Sequence, residues 1–356
     1  MRGDLAWMQR ALGLAARGAG HTSPNPLVGC VLVRDGELLS EGWHRKVGGL
    51  HAEREALAAL IAAGGTPEGA TAYVTLEPCC HHGRQPPCTD ALLEAGVSRV
   101  VVAMVDPDER VSGGGIERLR AAGVAVEVGL CEAAARRLNA AFISARVRQR
   151  PLVVLKAGVT LDGRIASAQG ESRWITSPEA RARGHELRHA LDAILVGSGT
   201  LHADDPSLDT RLPGGGGVDA VPVVLDSRLR TPADAAVLRA GRRPIIACGA
   251  AAPQRSLSAD ILRVEAGPGG LDLHAVLAGL HARGIQSVLV EGGGRVHRSF
   301  LAAGLVDRVH LFVAPRVLAG GAGWVAGPGF RLSDAPSMRL VDVGRVGPDA
   351  ELVLEA

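Results

Sequence analysis

The chain has 356 residues, of which 47% are hydrophobic, 21% charged and 3% aromatic, and its formal net charge is +2. That length exceeds one typical domain and suffices for two, each with its own core. So few rings, with no dense block of Lys or Arg, leave a nucleic-acid surface unsupported, and no apolar run is long enough to span a bilayer. Six cysteines in so long a chain make no disulfide framework and suit a reducing, cytoplasmic setting.

The opening residues, 1–18, mix Arg2, Asp4, Arg10 and Arg17 with Leu5, Trp7, Met8, Leu12 and Leu14, the pattern of an amphipathic helix and not of a signal peptide. A turn-rich segment, 21–26, leads into an apolar strand over 27–33, a tight turn at Asp35-Gly36 and a second strand over 38–42. A helix is predicted over 52–63, with His51 and Glu53 in its first turn. A buried strand follows over 71–76, then a cysteine-bearing loop opened by Pro78, a helix over 89–95 stopped by Gly96, a strand over 100–105, a helix over 116–122 and a strand over 124–128. Strands alternating with helices imply a three-layer α/β domain. His51 and Glu53 at one helix start and Cys79 at the next would then meet at one end of the sheet, where helix N-termini favour negative charge.

Residues 131–150 read as one helix rich in Ala and Arg, ended by Pro151, which places a domain boundary between 150 and 151. Beyond it the pattern gives strands over 152–155, 193–196, 221–225, 245–248, 287–290 and 309–313, and helices over 178–191, 271–282 and 296–303. This is a second α/β domain, 151–356. The four glycines 214–217 form a surface loop within it.

The chemistry concentrates in His51-Ala52-Glu53 and in Pro78-Cys79-Cys80-His81-His82-Gly83-Arg84-Gln85-Pro86-Pro87-Cys88. His51, Cys79 and Cys88 are zinc-type ligands, and Glu53 is a carboxylate that need not bind metal. Three ligands leave a fourth position for water, which a metal acidifies and which Glu53 could deprotonate before passing the proton on. The structural alternative closes the shell with Cys80, His81 or His82. Eight residues separate Cys79 from Cys88, unlike the tight C-x-x-C of nucleic-acid deaminases. In the second half, Val290-Glu291-Gly292-Gly293-Gly294-Arg295 lies between a strand and a helix, where backbone N–H groups can hold phosphate or the glycines can simply make a turn.

With Pro24-Asn25-Pro26-Leu27-Val28-Gly29 and Asp106-Pro107, these motifs resemble the deaminase half of the bifunctional riboflavin-biosynthesis deaminase/reductase family. The resemblance implies a cytidine-deaminase-like fold, zinc on His51, Cys79 and Cys88, Glu53 as proton shuttle, and Asn25, His44, His81 and Arg84 on a phosphorylated pyrimidine. Read without it, Asn25 would be a turn residue and His44 a surface histidine. Cys80 stands where that family usually has serine, Gln85 where it has threonine, and Gly114 where a basic residue is frequent.

The segments 156–164, 172–176, 197–200, 203–208 and 225–227 occur in the order of the family's reductase half, a dihydrofolate-reductase-like fold using NADPH. By that resemblance Gly158, Trp174, Thr200, Asp204, Ser227 and the turn and helix Gly293, Gly294, Arg295, Val296, His297, Arg298 and Ser299 lie along the cofactor. Ser172, Arg188, Leu208, Arg211 and Glu291 face the sugar phosphate. The bland readings make Trp174 core, Asp204 a turn and Arg188 a solvated helix face. A homo-oligomer without nucleic-acid or membrane partners is expected.

Overall fold

Trp7, Met8, Ala11 and Leu14, three and four residues apart, form the buried stripe of the first helix, Asp4–Ala16 (α1). The computed structural model describes residues 3–82, 85–108, 112–239, 241–267 and 269–356. The chain divides into the units Met1–Gln149 and Arg150–Ala356.

In the first unit α1 is followed by Gly29–Arg34 (β1), Glu37–Trp43 (β2), Ala52–Ala62 (α2), Thr71–Val74 (β3), Cys88–Glu94 (α3), Arg99–Val102 (β4), Gly114–Ala121 (α4), Ala125–Val128 (β5), Glu132–Leu138 (α5) and Ala140–Ile143 (α6). The sheet order is β2-β1-β3-β4-β5, with β1 antiparallel to β2 and β3, and β3, β4 and β5 parallel. Side chains alternate across it. Cys30, Leu32, Val74 and Val100 meet Ala56, Leu60, Leu92 and Leu119 on one face, while Val31, Val33, Tyr73 and Val101 meet Trp7, Met8, Leu14 and Ala135 on the other. Each fully buried aliphatic side chain contributes about 1.5–3 kcal/mol to this three-layer core. Gly29 is required where α1 crosses β1, since a Cβ there would lie 2.1 Å from the Ala11 carbonyl oxygen.

Residues 131–150 are not one helix. α5 ends at Leu138, and α6 runs into a wider turn over Ser144–Arg148. Between them buried Asn139 accepts from the Leu27 N–H at 2.8 Å and donates to the Leu27 carbonyl at 2.9 Å, so its amide pins the segment that leads into β1.

The second unit contains Leu152–Thr160 (β6), Pro178–Ala190 (α7), Ala193–Gly197 (β7), Ser198–Asp204 (α8), Val221–Leu225 (β8), Ile245–Gly249 (β9), Asp260–Val264 (β10), a small pair Ala266–Gly267 (β11) and Gly270–Leu271 (β12), Leu273–His281 (α9), Ser287–Val290 (β13), Gly294–Ala302 (α10), Arg308–Ala314 (β14), Arg339–Val346 (β15) and Asp349–Glu355 (β16). Its main sheet runs β10-β9-β8-β7-β13-β6-β14-β16-β15, parallel from β10 to β14 and antiparallel at β14-β16-β15. Ser177 caps α7 through the Ala180 N–H with Pro178 at the first helical position. β10, α8 and the β15-β16 hairpin are additions to the elements expected from sequence, and β6 continues through Thr160. Among the described residues no helix is long and apolar enough to cross a membrane.

Candidate active sites

His51 is the N-cap of α2 but makes no side-chain cap, which leaves its ring for other partners. Glu53 lies on the same stripe as Ala56, Leu57 and Leu60, so the helix that packs on the sheet also buries this carboxylate to 3% exposure. Cys88, and not Cys79, begins α3; Cys79 lies in the loop ahead, where Thr89 donates to its carbonyl from both N–H (3.1 Å) and hydroxyl (3.3 Å).

The ligand atoms of His51, Cys79 and Cys88 lie within 4.8 Å of one another, and among the described residues no fourth joins them. His51 Nδ1 is 3.3 Å from Cys88 Sγ and 3.6 Å from Cys79 Sγ. Tetrahedral zinc with ordinary Zn–N and Zn–S lengths separates such atoms by about 3.5 Å, so the set fits zinc with one position open. His81 and His82 are exposed. Hydrogen bonds from the Cys88 thiol, His51 and the Cys88 N–H hold the Cys79 thiol down to about 4 against its burial, and the same contact pushes the Cys88 thiol up. His51 is raised chiefly by its bond to Cys79. Burial first, then the Cys79 charge, lift Glu53 to about 7.

His44 is not a surface residue. It is 3% exposed, its Nδ1 meets the Leu50 carbonyl at 2.9 Å and its Nε2 meets Asn25 Nδ2 at 3.1 Å, so the ring carries its proton on Nδ1 and accepts from Asn25. Burial lowers its pKa, and its ring stands edge-on to His51 at 5.7 Å. Asn25, His44 and His51 therefore form one wall. His81 is on the exposed loop, and Arg84 lies outside the described residues.

Residues without a sequence assignment hold this loop. Arg54 Nη2 donates to the Pro86 (3.1 Å) and Pro87 (3.0 Å) carbonyls directly before Cys88. Gln85 Nε2 donates to the Gly49 carbonyl at 2.7 Å. Buried Glu77 accepts the N–H groups of Asp106, Gly113, Gly115 and Ile116, which ties the start of α4 beneath Pro78. Cys80 Sγ lies 3.1 Å from where a Cβ on Gly114 would be, turned from the metal ligands toward α4. Arg54→Met is expected to weaken zinc binding by about 10–100-fold, the usual effect of losing a group that orients a ligand. Competition titration against a chromophoric chelator checks it, and unchanged affinity would remove Arg54 from the site.

In the second unit, candidates gather at the carboxyl ends of parallel strands, where open α/β sheets bind ligands: Gly158 at the end of β6, Thr200 after β7, Ser227 after β8, and Glu291 to Gly293 after β13. A Cβ on Gly293 would be 3.7 Å from Thr200 Oγ1, so the starts of α8 and α10 adjoin. His297 is buried, with Nδ1 on the Trp324 carbonyl (2.9 Å) and Nε2 on that of Val290 (3.4 Å). Arg298 donates to the Pro328 carbonyl at 2.6 Å and stacks on Phe330, and Ser299 Oγ donates to the Arg295 carbonyl at 3.0 Å. The exposed part of this turn is thus Arg295, with Gly293 and Val296 half-buried.

Trp174 is 61% exposed, not core. With Ser172, Asp204 and Arg316 it lines a cleft of about 570 Å³. Arg181 lies 4.3 Å over its ring, and Arg173 pairs with Asp204 at 3.7 Å. Nor is Arg188 a solvated face: it forms a two-pronged pair with Glu291 (2.8 and 2.9 Å) and donates to the Asp209 carbonyl at 2.9 Å. Lys156 adds a second cation 3.6 Å from Glu291. Burial would raise the Glu291 pKa, but Arg188 and Lys156 overcome it and hold the carboxyl well below its ordinary value. His185, pushed down to about 4 by burial and by Arg188, is neutral and accepts the Arg211 N–H at 3.1 Å. Leu208 is buried with left-handed backbone, while the Arg211 side chain is 69% exposed.

The family model for the cytidine and deoxycytidylate deaminase zinc-binding region matches residues 1–104, and that for the RibD C-terminal domain matches 151–352. The chain is 42% identical to the riboflavin biosynthesis protein RibD of Actinobacillus pleuropneumoniae over 97% of its own length and 93% of the relative's. It is also 42% identical to that of Escherichia coli over 99% of both. Its structure is similar to the deaminase/reductase of Thermotoga maritima, with TM-score 0.90, 36% identity and coverage of 99% and 98%. A second similar structure is Acinetobacter baumannii RibD, with TM-score 0.87, 38% identity and the same coverage. The expected classes hold: a cytidine-deaminase-like three-layer fold and a dihydrofolate-reductase-like α/β fold. The chain belongs to the RibD family and is a bifunctional enzyme of riboflavin biosynthesis, a zinc-dependent deaminase joined to an NADPH-dependent reductase.

Proposed function

We propose that residues 1–150 deaminate 2,5-diamino-6-ribosylamino-4(3H)-pyrimidinone 5′-phosphate and that 151–356 reduce the ribosyl chain of the product to ribityl. The observation that carries the first half is the three-ligand cluster beside a buried Glu53. His51, Cys79 and Cys88 would hold zinc, which acidifies water toward neutral pH when bound. Glu53, lifted to about 7 by burial, is poised to take a proton near neutrality and return it to the leaving amine. Asn25 and the neutral His44 would orient the pyrimidine, and His81 and Arg84 would contact it.

For the second half, Gly158, Trp174, Thr200, Asp204, Ser227 and residues 293–299 serve the cofactor, whose contribution is hydride. Ser172, the Leu208 backbone and Arg211 would place the sugar phosphate. Arg211 is the stronger phosphate donor, because the Arg188 guanidinium already serves Glu291 and Asp209. Arg188 and Glu291 would then shape the ribosyl subsite. A cytoplasmic homo-oligomer is part of the proposal, supported by the edge strand β15 with Leu340 and Val343 exposed; sedimentation tests it.

Incubating the protein with the pyrimidine, with and without NADPH, should release ammonia in both cases. NADPH should be consumed only once deaminated product is present. Ammonia release that requires NADPH would sink this order of reactions.

A further inference from the structure

One face of α7 grips the loop between α8 and β8 through His185, Arg188 and His189, which lie at positions i, i+3 and i+4 and so leave the helix on the same side. The Arg188 guanidinium donates to the Asp209 carbonyl at 2.9 Å. His185 Nδ1 accepts the Arg211 N–H at 3.1 Å, and His189 Nδ1 accepts the Val218 N–H at 3.0 Å. A ring that accepts at Nδ1 is neutral and carries its proton on Nε2.

Within the loop, Asp219 accepts the Thr210 N–H at 2.7 Å, and the Gly215 N–H closes a turn on the Leu212 carbonyl at 2.9 Å. Gly214, Gly215 and Gly216 have φ of +91°, +80° and +79°, and a run of such residues is loose unless something outside it holds the chain. Residues 209, 210 and 211 are nevertheless held one after another, by Arg188, Asp219 and His185. The side chain that rises from this fixed main chain, Arg211, is 69% exposed and stands 3.6 Å from Asp209. Ordering the backbone beneath a surface guanidinium lowers the entropy cost when that group binds a ligand. The kind of acceptor matters as well. A carboxylate in place of His185 could take the same N–H, but it would also attract Arg188 and Arg211 and cancel their charge. A neutral imidazole accepts without doing so, and burial together with Arg188 keeps His185 in that form.

We infer that His185 and His189 are positioning residues of the reduction: by holding the loop through its main chain they present the Arg211 guanidinium, its charge intact, to the phosphate of the substrate. The inference rests on the reading that gives Arg211 that phosphate.

Steady-state reduction of the deaminated pyrimidine phosphate by the full chain tests it. His185→Phe and His189→Phe keep a ring and lose the acceptor, whereas His185→Asn and His189→Asn place an amide oxygen near the position of Nδ1. Each Phe variant should raise the substrate KM by about 2–10-fold, the net effect of one hydrogen bond, with kcat and the NADPH KM little altered. Each Asn variant should restore most of the parental KM. Ribose 5-phosphate should weaken as an inhibitor of the Phe variants by the same factor. In an Arg211→Gln background, His185→Phe should have no further effect. Phe variants with the parental substrate KM overturn the positioning role. So do losses of kcat and NADPH affinity that Asn does not restore, and so does an undiminished effect of His185→Phe in the Arg211→Gln background. Arg211→Gln with parental substrate KM and parental inhibition by ribose 5-phosphate overturns the phosphate reading and the inference with it.

Discussion

Glu53→Gln is expected to lower ammonia release by on the order of 10²–10⁴-fold, the range of a positioned acid–base group, while zinc content and NADPH oxidation with deaminated substrate stay at the parental level. The substitution keeps the shape of a side chain that is 3% exposed between α2 and the sheet, so the fold should survive. The zinc donors are three other side chains and none is altered. A neutral amide also removes a buried negative charge from beside the Cys79 thiolate, which favours the packed state and separates a chemical defect from a folding defect. Metal analysis, ammonia release and NADPH consumption on one preparation check all three statements. Parental ammonia release would show that another group moves the proton.

Glu291→Gln should act on stability. It leaves Arg188 and Lys156, with side chains 15% and 20% exposed, without their shared counter-charge. Breaking a buried pair on one side costs about 3–5 kcal/mol, which for a unit of this size lowers its melting temperature by roughly 6–20 °C. Calorimetry should show the transition of the second unit moving down while ammonia release at 25 °C is kept. Replacing Glu291 and Arg188 together by Met should recover much of the loss. The same carboxylate sets a pH limit. Its folded-state pKa lies below its ordinary 4.5, so its contribution is complete above about pH 4.5 and disappears as the pH falls toward the folded value. A melting temperature unchanged by Glu291→Gln would mean that solvent already compensates the two cations.

Much of the first site was legible because its chemistry is local. His51 and Glu53 share one helical turn, and Cys79 and Cys88 flank one loop, so spacing alone brings zinc-type donors and a carboxylate into proximity. Arg54 was not legible, since its partners are carbonyl oxygens of Pro86 and Pro87, which leave no mark on side-chain identity. His44 was misplaced without the family resemblance because nothing in a lone histidine reveals the Leu50 carbonyl that buries it. The hairpin β15-β16 escaped for a different reason. Its inward positions Asp349 and Glu351 are polar, bonded to the Ser177 N–H and to His310, so the strand does not alternate as an apolar one would. In the second site, Arg188 read without the family resemblance was a surface residue, because its partner, Glu291, lies 103 positions away.

The contact between Cys80 and Gly114 joins two departures that the sequence alone presents as unrelated. With Sγ 3.1 Å from where a Cβ would lie, a side chain at 114 fits tightly and requires the Cys80 side chain to give by a few tenths of an ångström. The usual serine at 80 has a shorter reach than a thiol, so the basic residue frequent at 114 and the serine at 80 suit one another, as do the cysteine and the glycine here. The two positions are expected to couple: a side chain placed at 114 should cost less stability with serine at 80 than with the cysteine, which a double-substitution cycle of melting temperatures would measure.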